Sequence, residues 1–295
     1  MLFNNKIIVF ASGNLGFKML EYLKQISKIE FIATDSKSKE IIEFARQESI
    51  EIFIGRPNKV ELVEKLINKQ SKILLSINYL FILEKEIFYI FDFPINFHGS
   101  LLPKYRGRTP HVWAIINNEI ETGITAHFIE EGCDVGDIIY QERIKIEKYY
   151  TGADLLNIFQ IEYPKIIYKV LESISNAKFI RIPQDNNVAT YFPKRVPEDG
   201  LLNWNWQKDR LYNWIRALSN PYPGAYTYYN KKKVIIDEIK FSNIGFDSSI
   251  TNGTIISLNE NNYPIVKVQN GAIEIIKTRN KHSNFLIKNI FDDEN

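Results

Sequence analysis

Ile7-Ile8-Val9-Phe10-Ala11 is a run without a single polar side chain, and Ser12-Gly13-Asn14 breaks it at once. A strand that is apolar on both faces must be covered on both, which is the situation inside a parallel sheet flanked by helices. Leu15, Met19, Leu20 and Leu23 then recur at helical spacing. The same unit repeats. Phe31 to Thr34 is predicted as a strand, Ile41 to Gln47 as a helix, Ile52 to Ile54 as a strand, Val60 to Asn68 as a helix and Ile73 to Ile77 as a strand. Pro94-Ile95-Asn96-Phe97-His98 continues the series. Strands alternating with helices imply crossover connections and an α/β, Rossmann-like, doubly wound and mainly parallel sheet.

After residue 98 the pattern changes. Residues 99 to 152 hold six of the fourteen glycines, and Leu155 to Leu171 follows as a helix with Pro164 expected to kink it. From about Thr190 the alternation stops. A segment with Trp204, Trp206 and Trp214 leads into a helix over Leu211 to Leu218, ended by Pro221-Tyr222-Pro223-Gly224. Short runs at Ala225 to Tyr229, Val234 to Phe241, Gly253 to Leu258, Ile265 to Val268 and Ala272 to Ile276 then read as a small β-barrel-like (OB-like) domain. The expected division is 1–190 for the larger domain and 200–295 for the small β domain.

Composition excludes several classes. With 45% hydrophobic and 24% charged residues, the chain has enough apolar material for packed cores. Thirty-seven basic against 35 acidic side chains leave a net charge of +2, which gives no electrostatic footprint for a dedicated nucleic-acid binder. Cys133 is the single cysteine, so neither an internal disulfide nor a Cys-rich zinc site is available. No apolar run reaches the ~20 residues that span a bilayer, and the first residues lack a signal-peptide layout. A cytoplasmic protein without membrane partners is the expectation.

In open α/β sheets ligands bind beyond the carboxyl ends of the strands. Asn96 and His98 lie two apart at such an end and so project to one side. Asp134 follows in the turn Gly132-Cys133-Asp134-Val135-Gly136. An imidazole exchanges protons near neutral pH, a carboxylate orients it, and a carboxamide donates to an oxyanion. These are the parts of an acyl-transfer site. Spacing alone leaves the reading open, because a lone His at a strand end is more often structural. His111, His127 and Cys133 are not at zinc-ligand spacing and read as structural or loop residues; no metal is expected.

The wider motif narrows the choice. Asn96-Phe97-His98-Gly99-Ser100-Leu101-Leu102-Pro103-Lys104-Tyr105-Arg106-Gly107-Arg108-Thr109-Pro110 resembles the signature of the 10-formyltetrahydrofolate-dependent formyltransferases. The likeness continues through Trp113-Ala114-Ile115, Glu121-Thr122-Gly123-Ile124-Thr125, His127 and Asp134-Val135-Gly136-Asp137-Ile138. It implies that Asn96, His98 and Asp134 are catalytic and that 10-formyltetrahydrofolate is the one-carbon donor. It also implies a folate pocket walled by Asn78, Tyr79 and Leu80, with Leu101 behind the formyl group and Glu131 and Gly132 at the pterin edge.

The acceptor is the second question. By the same resemblance, enzymes that formylate methionyl-tRNA carry a basic loop after the second strand. Here that stretch is Thr34-Asp35-Ser36-Lys37-Ser38-Lys39-Glu40, and residues 31 to 60 hold five basic and five acidic side chains. Residues 200 to 295 carry twelve basic and nine acidic groups. Holding RNA by several phosphates calls for positive charge concentrated on one face. The stretch Ala189 to Gly200, with Leu202-Asn203-Trp204, Ile215-Arg216-Ala217 and Asn220 to Ala225, is similar instead to nucleotide-sugar N-formyltransferases such as the domain acting on UDP-4-amino-4-deoxyarabinose. A nucleotide-linked amino sugar is therefore the expected partner, with methionyl-tRNA as the rival acceptor. Guanidinium groups suit a diphosphate. Arg108 is the first candidate and Lys194 and Arg195 follow; the resemblance also implies that the first turn lies near the acceptor, with Asn14 facing the sugar. Family behaviour implies a homodimer, which no residue pattern here demonstrates.

Overall fold

The computed structural model of the chain describes residues 2–280 and 284–292. Its first strand is β1 (Lys6–Ala11), buried along its length except at Lys6. Helix α1 (Gly13–Ile26) and strand β2 (Lys28–Thr34) follow, then α2 (Lys39–Gln47), β3 (Glu51–Ile54), α3 (Lys59–Leu66) and β4 (Ile73–Ile77). A short α4 (Lys85–Phe88) leads to β5 (Phe93–His98). Next come β6 (Arg106–Gly107), α5 (Pro110–Ile116), β7 (Glu121–Phe128), β8 (Ile138–Lys145), α6 (Gly152–Ser175) and β9 (Tyr191–Phe192). The C-terminal part holds α7 (Lys208–Leu218), β10 (Ala225–Tyr229), β11 (Lys232–Ser242), β12 (Ile255–Leu258), β13 (Pro264–Val268) and β14 (Gly271–Thr278).

The chain forms two compact units. One comprises Met1–Pro110, Thr122–Ile144 and Asn157–Phe192; the other comprises His111–Glu121, Lys145–Leu156 and Pro193–Asn295. The first is built on a seven-stranded sheet in the order β3-β2-β1-β4-β5-β7-β8. β1 pairs in parallel with β2 and β4, β2 with β3, and β4 with β5, while β7 runs antiparallel to β5. Ile8 and Phe10 of β1 join Phe31, Leu74 and the α3 residues Leu62 and Leu66 in one core on one face. By strand alternation Ile7, Val9 and Ala11 face the other side. There a Cβ on Gly16 of α1 would lie 3.0 Å from the Ala11 Cβ, so glycine permits the close approach of helix to strand. Each large side chain fully buried in this way contributes about 1.5–3 kcal/mol.

The predicted elements of the first hundred residues are all present, with ends displaced by a few residues. β7, β8 and α5 lie in the glycine-rich stretch where no element was predicted. α6 is helical on both sides of Pro164. In the second unit five strands form an antiparallel sheet in the order β10-β11-β14-β13-β12. Residues near its end complete the ring: Asp292 bridges Tyr228 of β10, and Ile290 bridges Thr254 beside β12. Trp204 plugs this unit, stacked on Phe291 at 5.2 Å with its indole N–H donated to the Thr227 hydroxyl.

Candidate active site

β5 lies next to β4, one strand beyond the point where the strand order switches between β1 and β4, and it carries Asn96 and His98 on one side. In the antiparallel register Asn96 stands opposite His127 and His98 opposite Thr125. Two polar pairs from neighbouring strands thus share one face. The Asp134 loop, between β7 and β8, brings its carboxylate onto that face.

The distances define a single cluster. Asp134 Oδ1 accepts from Asn96 Nδ2 at 3.3 Å and lies 3.5 Å from His127 Nε2. Asp134 Oδ2 lies 3.6 Å from His98 Nδ1 and accepts the Gly107 backbone N–H at 2.9 Å. Asn96 Nδ2 also donates to His127 Nε2 at 3.0 Å. The outer nitrogens of both imidazoles are spent on backbone carbonyls, His98 Nε2 on Tyr105 O and His127 Nδ1 on Phe128 O, each at 2.7 Å. A carbonyl only accepts, so each of those nitrogens carries a hydrogen. The proton-exchanging atoms are therefore His98 Nδ1 and His127 Nε2, and both face the same carboxylate.

Burial by itself would raise the Asp134 pKa. The opposing effects of the His98 charge, the His127 hydrogen bond and charge, and the Gly107 N–H win, and hold the carboxyl well below the usual carboxylate range. Its backbone sits at φ 55°, a left-handed conformation that Asp tolerates better than most residues. Cys133 donates its thiol to Asp134 Oδ2 at 3.3 Å. Partial burial and the neighbouring carboxylate push that thiol up to about 11, so it is a poor nucleophile.

The structure thus brings Asn96, His98 and Asp134 together, and it adds His127. Reading His127 by zinc spacing alone sets it aside as structural; the structure places it in the cluster with its side chain 3% exposed. The signal was present as Thr125-Ala126-His127, a polar pair at strand period that mirrors Asn96-Phe97-His98 on the facing strand. Among the described residues no group of three or more His, Cys, Asp or Glu is placed to hold a metal ion.

The remaining candidates lie as follows. Asn78, at φ 53°, donates from Nδ2 to Ser12 O at 2.9 Å and so joins the ends of β4 and β1. Tyr79 packs on Phe10 at 5.2 Å with its hydroxyl buried and unpartnered, and burial followed by the Asp35 charge raises its pKa. The Leu80 side chain is partly exposed, and its carbonyl accepts from Arg108 Nη2. Leu101 leans on Gly123, where a Cβ would come within 2.4 Å of it. Glu131 is exposed and bound to Lys85 and the Tyr89 hydroxyl, and Gly132 has φ 127°. Asn14 is exposed in the first turn of α1. Lys194 and Arg195 belong to the second unit. Lys194 is exposed, whereas Arg195 is stacked between Trp113 at 4.8 Å and Trp214 at 4.5 Å, with Nη2 donating to Asp199 O. That guanidinium therefore packs against two indole rings.

An amide, two imidazoles and a carboxylate gathered on one face of a doubly wound sheet are the parts of a group-transfer site. The family model described as Formyl transferase matches residues 5–171, and Formyl transferase, C-terminal domain, matches residues 194–289. The chain belongs to this family and is an N-formyltransferase. It is 34% identical over 294 residues to the bifunctional polymyxin resistance protein ArnA of Wigglesworthia glossinidia brevipalpis, covering 96% of this chain and 44% of that protein. The chain thus spans less than half of that relative. The methionyl-tRNA formyltransferase of Ruminiclostridium cellulolyticum is 30% identical over 269 residues, covering 89% and 84% of the two chains. Among solved structures, WlaRD, a sugar 3N-formyl transferase crystallised with dTDP and 5-N-formyl-THF, shares the fold with a TM-score of 0.69 at 24% identity, covering 95% and 100% of the two chains. An N-formyltransferase from Helicobacter canadensis, complexed with folinic acid and dTDP-3-aminofucose, does so with a TM-score of 0.71 at 23% identity, covering 92% and 99%.

Proposed function

We propose that this enzyme transfers the formyl group of 10-formyltetrahydrofolate to the amino group of a nucleotide-linked amino sugar, with Asn96, His98 and Asp134 as its catalytic residues. The neutral amine attacks the formyl carbon, forming the new C–N bond while the bond to N10 of the folate breaks. His98 Nδ1 takes the proton from the amine and returns it to N10 as that nitrogen leaves. Asp134, 3.6 Å away, stabilises the imidazolium in between. Asn96 donates to the formyl oxygen as it becomes an oxyanion. Asn78, Tyr79 and Leu80 at the end of β4, with Leu101, Glu131 and Gly132, are the residues for the folate. Arg108 and Asn14 are those proposed for the nucleotide sugar; Lys194 and Arg195 belong to the second unit, where the Arg195 guanidinium packs on Trp113 and Trp214.

The observation that carries the sugar reading is the connection between β2 and α2. It is four residues long, and its one acidic side chain closes it into a turn: Asp35 Oδ1 accepts from Lys37 N at 2.8 Å and Oδ2 from the Ser38 hydroxyl at 2.6 Å. No extended basic loop for an acceptor stem is accommodated there. The shared fold with enzymes crystallised with dTDP or a dTDP-amino sugar supports the same reading. The likeness to methionyl-tRNA formyltransferases keeps tRNA as the second reading. A product assay with 10-formyltetrahydrofolate against a panel of amino-sugar nucleotides and methionyl-tRNA separates the two. Formylation of a nucleotide sugar is the expected result; formylation of the tRNA alone overturns it.

A further inference from the structure

Arg106 is only 1% exposed and is the largest fully buried side chain among the described residues. Its partners are neutral. Nε and Nη2 donate to Gln184 Oε1 at 3.1 and 2.7 Å, Nη2 also to Asn186 Oδ1 at 2.9 Å, and Nη1 to the Tyr191 hydroxyl at 2.6 Å. Burying a guanidinium on neutral hydrogen-bond partners is costly, so a fold that keeps one there has a use for its fork geometry. That use is visible one bond further on. With Oε1 held by two guanidinium N–H groups, the Gln184 amide cannot flip, because arginine has no acceptor to offer its Nε2. Nε2 then points to the Asp134 loop and donates to Asp134 O at 2.9 Å and to Gly136 O at 2.7 Å. The next residue, Gly107, grips the same loop from the other side through its N–H to Asp134 Oδ2.

We propose that Arg106 and Gln184 are positioning residues: a clamp that fixes the backbone of the Asp134 loop so that its carboxylate meets both imidazoles. Neither side chain touches a reacting group. The clamp is anchored by the parallel pairing of β6 with β9, in which Arg106 N donates to Thr190 O at 2.8 Å and Arg108 N to Phe192 O at 3.1 Å. The segment that follows α6 thereby sets the geometry of a loop about fifty residues earlier in the chain. The inference rests on the reading of Asp134 as catalytic, and the test is built to keep the two apart.

Gln184→Glu keeps the acceptor for Arg106 but replaces the two donated hydrogens; Gln184→Met removes both functions at similar size. Each is compared with wild type and with Asp134→Asn in the full chain. Two quantities are measured: kcat and KM with 10-formyltetrahydrofolate and the amino-sugar nucleotide that wild type formylates, and amide hydrogen exchange of the peptide covering 130–138 without substrate. The clamp predicts kcat lower by ~10–100-fold with KM within ~3-fold, since a misplacement of about 1 Å costs on that order. It also predicts exchange in 130–138 at least ~10-fold faster, with β1 and β4 unchanged. Arg106→Lys, which keeps the charge and loses the fork, should behave alike. Unchanged loop exchange in both Gln184 variants overturns the inference, as does a loss confined to KM. If Asp134→Asn keeps full turnover, the catalytic reading fails instead, and the exchange data alone decide the clamp.

Discussion

Asp134→Asn is the sharpest probe of the cluster, because asparagine adopts φ near +55° as readily as aspartate and leaves the loop's backbone unstrained. What it removes is the charge 3.6 Å from His98 Nδ1. At an effective dielectric of ~20, a unit pair at that separation is worth about 4–5 kcal/mol. If the imidazolium forms in the transition state and not in the resting enzyme, most of that energy is differential. At about 1.4 kcal/mol per decade, the expected loss in kcat is ~10³-fold. A second penalty arises from orientation: Gly107 N–H and Asn96 Nδ2 each need an acceptor, and one must now face the new amide's N–H groups. The assay is tetrahydrofolate release from 10-formyltetrahydrofolate under saturating acceptor, with thermal melting as the check on folding. A variant that folds and turns over within ~10-fold of wild type refutes the assignment of Asp134 to the imidazolium.

Four further outcomes follow from the same geometry. Because the Asp134 pKa is depressed in the folded state, its contribution to stability is complete above the unfolded value near 4 and is lost as pH falls through the folded value; the melting difference between wild type and Asp134→Asn should shrink as pH falls below about 4. His127→Ala removes the acceptor for Asn96 Nδ2 and should lower kcat ~10–100-fold with little change in folate KM, which steady-state kinetics will show. Gly107→Ala sets a Cβ 2.3 Å from Phe192 O at φ 99°; a destabilisation of about 2–4 kcal/mol should appear as a fall in Tm of roughly 5–10 °C by calorimetry. Asn96→Ala and His98→Ala should each cost ~100-fold or more in turnover, and the double variant much less than the product of the two, measured as a double-mutant cycle.

β1 was legible because burial on both faces writes Ile7 to Ala11 as an unbroken apolar run, and β4, buried along its whole length, departs from that only at Ser76. β7 was not, although every residue after Glu121 is buried. Its sequence spends Thr125 and His127 on polar contacts, so hydrophobic periodicity fades where the site begins. Thr125, for example, donates to Ser100 O and accepts from Leu102 N and the Gln141 amide. β8 is half-buried along most of its length and carries only a weak alternation. Asn96, His98 and Asp134 were readable from one motif and one loop. The clamp was not, because it depends on pairing Arg106–Gly107 with Tyr191–Phe192, a two-residue contact between distant segments that leaves no periodic trace. Arg195 shows the opposite difficulty: a basic residue between prolines reads as a ligand group, while its environment is two tryptophans.

The expected non-additivity of Asn96 and His98 comes from counting hydrogens. In a Ser-His-Asp triad the carboxylate holds one imidazole nitrogen and the other does the chemistry. Here His98 Nε2 is committed to Tyr105 O, so the nitrogen proposed to take the amine's proton is the one that faces Asp134. Asn96 Nδ2 has two hydrogens, and both are engaged, one by His127 Nε2 and one by Asp134 Oδ1. None is free for an oxyanion in this arrangement. When His98 Nδ1 becomes protonated, its N–H supplies Oδ2 with a charged donor and draws the carboxylate's charge toward that oxygen, which weakens the hydrogen bond that Oδ1 takes from Asn96. The amide hydrogen released in this way is available to the formyl oxygen at the step when negative charge develops there. Proton uptake and oxyanion stabilisation are thus one event distributed over two side chains, and deleting either already forfeits most of what the other contributes.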